Sequence, residues 1–155
     1  MNYKLASSTW DTKEIDAIHR VIESDKYSMG EQVKLYEKDF SAYMGSRFAV
    51  MVSSGSTANL LMIAAMFFTK NEGRKLSRGD EIIVPAVSWS TTYFPLQQYG
   101  LKLKFVDIDR DTLNIDLDKL KAAVSDKTKA ILAVNLLGNP NDFDAINAII
   151  GERDI

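Results

Sequence analysis

From Phe48 onward, short apolar runs alternate with stretches of helical periodicity. "RFAVMVSS", "EIIVP", "LKFVDI" and "KAILAVNLL" read as strands, the second stopped by Pro85. Helical patterns separate them: Ala58 to Phe68, "SWSTTYFPLQQYG", "IDLDKLKAAV" with Leu117, Leu120 and Val124 inward, and "NPNDFDAINAIIGER". Strand–helix alternation of this kind predicts an α/β fold with a largely parallel sheet. Strands this apolar along their whole length predict helices on both faces. The helix from Ala58 to Phe68 is almost wholly apolar and is expected to be covered on most sides. Pro95 is expected near the start of its helix or at a kink.

Two helices precede the alternation. Asp11 with Glu14 three residues on forms a capping box, followed by Ile15, Ile18 and Ile22 on one helical face up to about Ser24. A second helix fits Glu31 to Met44, with Val33, Tyr36, Phe40 and Tyr43 at helical spacing and Gly45 as a C-terminal cap. The chain thus divides into leading helices over residues 1–47 and alternating strands and helices over 48–155. Asp154 and Ile155 fall where the alternation calls for another strand, and the sequence is expected to be the N-terminal portion of a longer protein.

A net charge of −2 gives no electrostatic case for nucleic acid or an anionic membrane. The absence of cysteine excludes disulfides and cysteine-ligated metal within this chain and fits a cytoplasmic protein. No apolar run approaches the roughly 20 residues that span a bilayer. His19, the single histidine, sits on a helix far in sequence from the strand ends and reads as a surface residue. The "DIDRD" run from Asp107 to Asp111 reads as a solvated turn rather than a metal site.

In parallel α/β sheets, ligands bind beyond the carboxyl ends of the strands. Three loops fall there. The first, Ser53 to Thr57, leads through Gly55 into a helix beginning near Thr57. Its first N–H groups lack internal partners, Gly55 permits close approach, and the Ser56 and Thr57 hydroxyls add donors, as a phosphate cradle requires. The same residues can equally be a Ser/Thr helix cap. The second loop holds Trp89 between Ser88 and Ser90, either as a flat platform for a planar ring or as a core residue. The third, "NLLGNPND", reads as a strand-to-helix turn with Asp142 as cap.

Three ordered blocks carry a family resemblance: "YSMGEQVKLYEKDFSAYMGSRFAVMVSSGSTANLLM", "RGDEIIVPAVSWSTT" and "KFVDIDRDTLNIDLDKLKAAVSDKTKAILAVNLLGNPNDFDAI". The chain resembles the DegT/StrS-type nucleotide-sugar aminotransferases and dehydratases, enzymes of the aspartate-aminotransferase architecture (fold type I) that use pyridoxal 5′-phosphate (PLP) or pyridoxamine 5′-phosphate (PMP). "SSGSTANLL", "SWSTT" and "LLGNP" resemble the branch that removes the C3 hydroxyl from a nucleotide-linked 4-keto-6-deoxyhexose. The aminotransferase branch is the alternative, and a non-catalytic α/β module a further one.

The resemblance implies that Ser56 and Thr57, with Gly55, hold the cofactor phosphate, and that Trp89 stacks on the pyridine ring. It implies that Met29 and Gly30 lie near substrate, often in the partner subunit of a homodimer. The family's acidic partner for the pyridine nitrogen, and the lysine or histidine that acts on the cofactor, fall past Ile155. The chain alone is therefore expected to lack a catalytic residue and to be inactive.

Overall fold

The computed structural model describes residues 7–155. They form two compact units, Met1–Met51, of which residues 7–51 are described, and Val52–Ile155.

The first unit holds two helices, α1 (Thr12–Ser24) and α2 (Glu31–Tyr43). Both follow the sequence closely. Asp11 caps α1 through the Lys13 N–H at 2.7 Å, and Glu14 reaches back to the Asp11 N–H at 2.8 Å. These bonds satisfy two of the donors a helix start leaves open. Gly45 follows α2 with φ +64°, a left-handed turn that glycine adopts without Cβ strain. Neither helix contains a buried residue. Ile15, Ile18 and Ile22 share a face as the spacing predicts, yet all three are exposed. His19 is exposed on α1.

The second unit is built on a parallel sheet of β1 (Glu81–Pro85), β2 (Lys102–Val106) and β3 (Thr128–Ile131), in the order β2-β1-β3. Four helices accompany it: α3 (Gly55–Phe68), α4 (Ser90–Gln98), α5 (Leu117–Ala123) and α6 (Phe143–Ile150). Glu81 through Pro85 pair in register with Lys102 through Val106, while the β1–β3 register shifts once, between Glu81 and Ile82. The side chains of β1 alternate between two cores. Ile82 and Val84 pack with Ile63 of α3 and Leu96 of α4. Ile83 packs with Leu120 of α5 and Ile146 of α6. Helices therefore cover both faces, as the continuous apolar character of "EIIVP" requires.

The structure departs from the sequence reading at several points. The "RFAVMVSS" strand does not form, and Phe48, Val50 and Met51 are exposed in irregular chain. A strand needs a neighbour for its ladder hydrogen bonds, and no described residue pairs with this segment. Asp154 and Ile155 likewise belong to no strand. The helix expected from Ala58 begins at Gly55, because Ser54 rather than a later residue is its cap. Its apolar surface is only partly covered. Ile63 is buried, whereas Leu60, Leu61, Met62 and Phe68 are exposed, since one side packs on the sheet and no other described element of the same unit covers the rest. Of the two positions expected for Pro95, the one near the helix start does not hold, since Pro95 lies inside α4 and is buried.

Candidate functional site

Two loops at the carboxyl end of β1 bring most of the sequence-predicted site residues together. In the first, Ser54 is extended at φ −165° and ψ 165°, and its Oγ accepts the Thr57 N–H at 3.2 Å. The Thr57 hydroxyl accepts the Ser54 N–H at 3.0 Å and donates to the Ser54 carbonyl at 2.8 Å. This reciprocal box consumes the Thr57 hydroxyl and its N–H. Next to it, the N–H groups of Gly55 and Ser56 and the Ser56 hydroxyl have no partner among the described residues. Gly55 and Ser56 are exposed, and a Cβ built on Gly55 would meet no atom within 4 Å. The cap and the anion cradle are therefore compatible. Ser54 and Thr57 order the first turn of α3, and two backbone donors and one hydroxyl point out at the positive end of the helix.

In the second loop, Trp89 is 75% exposed at the N-cap position of α4, so it is not a core tryptophan. The backbone beneath it is fixed. The Trp89 carbonyl accepts the Thr92 N–H at 2.9 Å. The hydroxyls of Ser88 and the buried Thr92 lie 2.8 Å apart, and the Tyr93 phenol donates to the Pro85 carbonyl at 2.8 Å. Burial pushes the Tyr93 pKa up, which keeps that donor protonated. The Tyr93 ring meets Phe105 of β2 edge-on at 5.5 Å. A rigid support thus presents an indole to solvent, a platform able to take a flat ring.

The two loops are joined by one side chain. Asn59 Nδ2 donates to the Thr91 carbonyl at 3.2 Å, tying the second turn of α3 to the first turn of α4. Sequence reading passed over Asn59. The signal was present in Pro95, four residues after Thr91, which cannot donate the helical bond that Thr91 would otherwise receive.

The third loop is structural. The buried Asn141 donates to the Val134 carbonyl and the Asn135 side chain, both at 2.9 Å. Asn114 donates to the Pro140 carbonyl at 2.8 Å, and Asn139 to the Thr112 carbonyl at 2.9 Å. Asp142 caps α6 through the Ala145 N–H at 2.9 Å, as its position predicts. The Asp107–Asp111 run is the turn that the sequence suggests. Asp109 accepts the Thr112 N–H at 2.8 Å, which holds its carboxyl below the usual carboxylate range. Among the described residues, no group of three or more His, Asp or Glu could hold a metal, and no helix is long and apolar enough to cross a membrane.

Met29 and Gly30 lie in the first unit. With Arg20, Lys26 and Tyr27 they line a hollow of about 480 Å³. Gly30 is the N-cap of α2 and offers no side-chain cap, so the helix start is open.

Sheet, helix start and indole together define an α/β protein whose candidate site lies at the carboxyl edge of a parallel sheet. The chain belongs to the DegT/DnrJ/EryC1/StrS aminotransferase family, whose model matches residues 8–155. It is 72% identical, over its whole length, to a GDP-4-keto-6-deoxy-D-mannose 3-dehydratase of Yersinia pseudotuberculosis and covers 39% of that protein. The solved structure of the E. coli GDP-4-keto-6-deoxy-D-mannose-3-dehydratase with bound hydrated PLP superposes with a TM-score of 0.94 at 69% identity, over 99% of this chain and 39% of that one. A variant of GDP-4-keto-6-deoxymannose-3-dehydratase (ColD) with bound GDP-perosamine gives the same TM-score, identity and coverage. The chain thus spans about two fifths of the length of the relatives it matches.

Proposed function

We propose that this chain is the cofactor-holding N-terminal part of a PLP/PMP-dependent 3-dehydratase acting on a GDP-linked 4-keto-6-deoxyhexose in deoxysugar biosynthesis. The observation that carries the reading is 72% identity along the entire chain to a protein of that activity. The site chemistry agrees. A phosphate needs donors without partners, and Gly55 and Ser56 supply them. A planar pyridine needs a flat face, and Trp89 supplies one. Thr57 acts in this scheme through its cap to Ser54, because its hydroxyl is already spent.

When bound, the cofactor supplies an amino group and an aromatic ring able to accept electrons from the sugar. This chain's share is to anchor the phosphate at α3, to hold the ring on Trp89 and to keep water from that face. Met29 and Gly30 contact the sugar nucleotide, and the open start of α2 with Arg20 and Lys26 suits its diphosphate. In this reading the base toward the cofactor belongs to the part of the relatives' length that this chain does not cover. The reading carries with it a homodimer in the cytoplasm.

The test is a single turnover of the full gene product with PMP and GDP-4-keto-6-deoxymannose, analysed by mass spectrometry. Loss of the C3 oxygen without gain of nitrogen in the sugar is the expected outcome. Gain of an amino group at C4 would instead assign the aminotransferase activity after which the matched family is named. An unchanged sugar with no PLP bound would leave the module without this catalytic role.

A further inference from the structure

Pro95 poses a problem that the fold solves in an unexpected place. Inside an α-helix, residue 95 would donate its N–H to the carbonyl of residue 91. Proline has no N–H, so the Thr91 carbonyl loses its partner within α4. Thr91 is only half-buried, but an unpaired carbonyl against packed helices still costs free energy. The missing donor comes from the other helix, as the Asn59 amide at 3.2 Å. Pro95 itself is buried and Leu96 beside it is fully buried, so the defect is locked into the packed side of α4.

The location matters for the site. Thr91 is two residues after Trp89, in the first turn of α4. Asn59 is three residues after Ser56, one turn into α3. A single hydrogen bond therefore links the element that presents the indole to the element that presents the Gly55 and Ser56 donors. Among the described residues, neither loop makes any other side-chain hydrogen bond to the other. A phosphorylated planar ring carries its phosphate on a short arm, so ring and phosphate can be held together only over a narrow range of relative positions of the two elements.

We propose that Asn59 is a positioning residue. Its bond to the carbonyl orphaned by Pro95 is an interhelix latch that sets the indole of Trp89 against the phosphate cradle of α3. The inference rests on the cofactor reading above. It predicts that a helix defect, conventionally a cost to stability, is used here to create an acceptor that a neighbouring helix can grip.

The experiment uses the full gene product carrying Trp10→Phe, so that Trp89 is the only tryptophan of this segment to report. Its quenching by saturating PLP reads the separation of indole and pyridine, and a titration reads affinity. Tryptophans elsewhere in the gene product are subtracted with a Trp89→Phe control. Asn59→Ala and Asn59→Asp, the second keeping the shape but not the donor, are each expected to weaken PLP binding about fivefold, the worth of one partly buried hydrogen bond. Both are expected to reduce quenching even at saturation. Adding Pro95→Ala returns an N–H to Thr91 within its own helix. It should lower the melting-temperature cost of Asn59→Ala, so that the two substitutions are not additive.

Unchanged affinity and quenching with a lowered melting temperature would make Asn59 a stability residue only and overturn the proposal. Additive effects of Asn59→Ala and Pro95→Ala would overturn it as well, because the orphaned carbonyl would not be what Asn59 serves. If the parent protein binds no PLP, the cofactor reading falls and this inference with it. If the parent binds and the Asn59 variants match it, the latch alone falls.

Discussion

Replacing Trp89 by alanine separates a ligand platform from a core residue with one substitution. In the cofactor-free protein the indole is 75% exposed, so its removal takes little apolar surface out of a buried environment. The cost in stability should stay within about 0.5 kcal/mol, the range of surface substitutions. Its support does not depend on it, since Thr92, Ser88 and Tyr93 bond to backbone and to one another beneath it. In the proposed bound state one face of the indole is covered. Taking roughly 60 Å² for that face, less than half of what a buried aromatic hides, burial contributes about 1.5 kcal/mol. The net loss on truncation is then about 1–2 kcal/mol, or roughly 5- to 30-fold in Kd. The assay pairs an absorbance titration of the full gene product with PLP and thermal melting without it. Trp89→Phe, which keeps a flat ring, should fall between the parent and alanine. A melting temperature lowered by several degrees with unchanged Kd would refute the reasoning, since it would mean that the indole serves the fold.

Leu120→Ala, at a side chain with no exposed surface between α5 and the sheet, should cost about 2–5 kcal/mol in chemical denaturation. Ser54→Ala should cost about 1 kcal/mol of stability through loss of the α3 cap and should also weaken PLP binding, because the first turn of that helix loosens. Around Lys119, the Asp107 carboxyl is held low by the Ile108 N–H and by Lys119, and that of Asp116 first by the Lys119 N–H. Carboxyls with lowered folded pKa values stabilise above their unfolded pKa and lose that contribution as pH falls, so an acid melt should steepen below about pH 4. The Lys119 pKa is raised, chiefly by its bond to Asp107, so its own contribution persists at neutral pH and fades only as pH rises past about 10.4. Lys119→Met should soften both limbs.

The elements that the sequence made legible are those whose signals are local. The α1 capping box, the Gly45 turn after α2, the Asp142 cap and the buried "EIIVP" strand each depend on residues within one turn or one strand. The "RFAVMVSS" segment was misread because a strand is not a local object. Its apolar run is real, but its state depends on a hydrogen-bonding neighbour, which sequence pattern cannot supply. The same holds for the coverage of α3. Its composition states how apolar the helix is, not which side meets a partner, and Leu61 and Met62 are exposed while the next residue, Ile63, is buried. At the candidate site the residue types were legible and their division of labour was not. Thr57 and Ser56 look alike as hydroxyl donors, and only the bond network separates the one spent on the cap from the one left open.

That division removes a choice that the sequence posed as exclusive. A capped helix and an anion site compete only if they need the same donors. Here the N-cap Ser54 takes the third residue of the helix, Thr57, and leaves the first two, Gly55 and Ser56. An anion gains from this arrangement. The cap fixes the direction of the remaining N–H groups, so less conformational entropy is lost when a phosphate binds them. The exposed position of Gly55 has the same logic, since its missing Cβ leaves open space where an oxygen can approach the backbone. The capping box is then not the bland alternative to a site. In the proposed site it is the part that makes two backbone donors stand still.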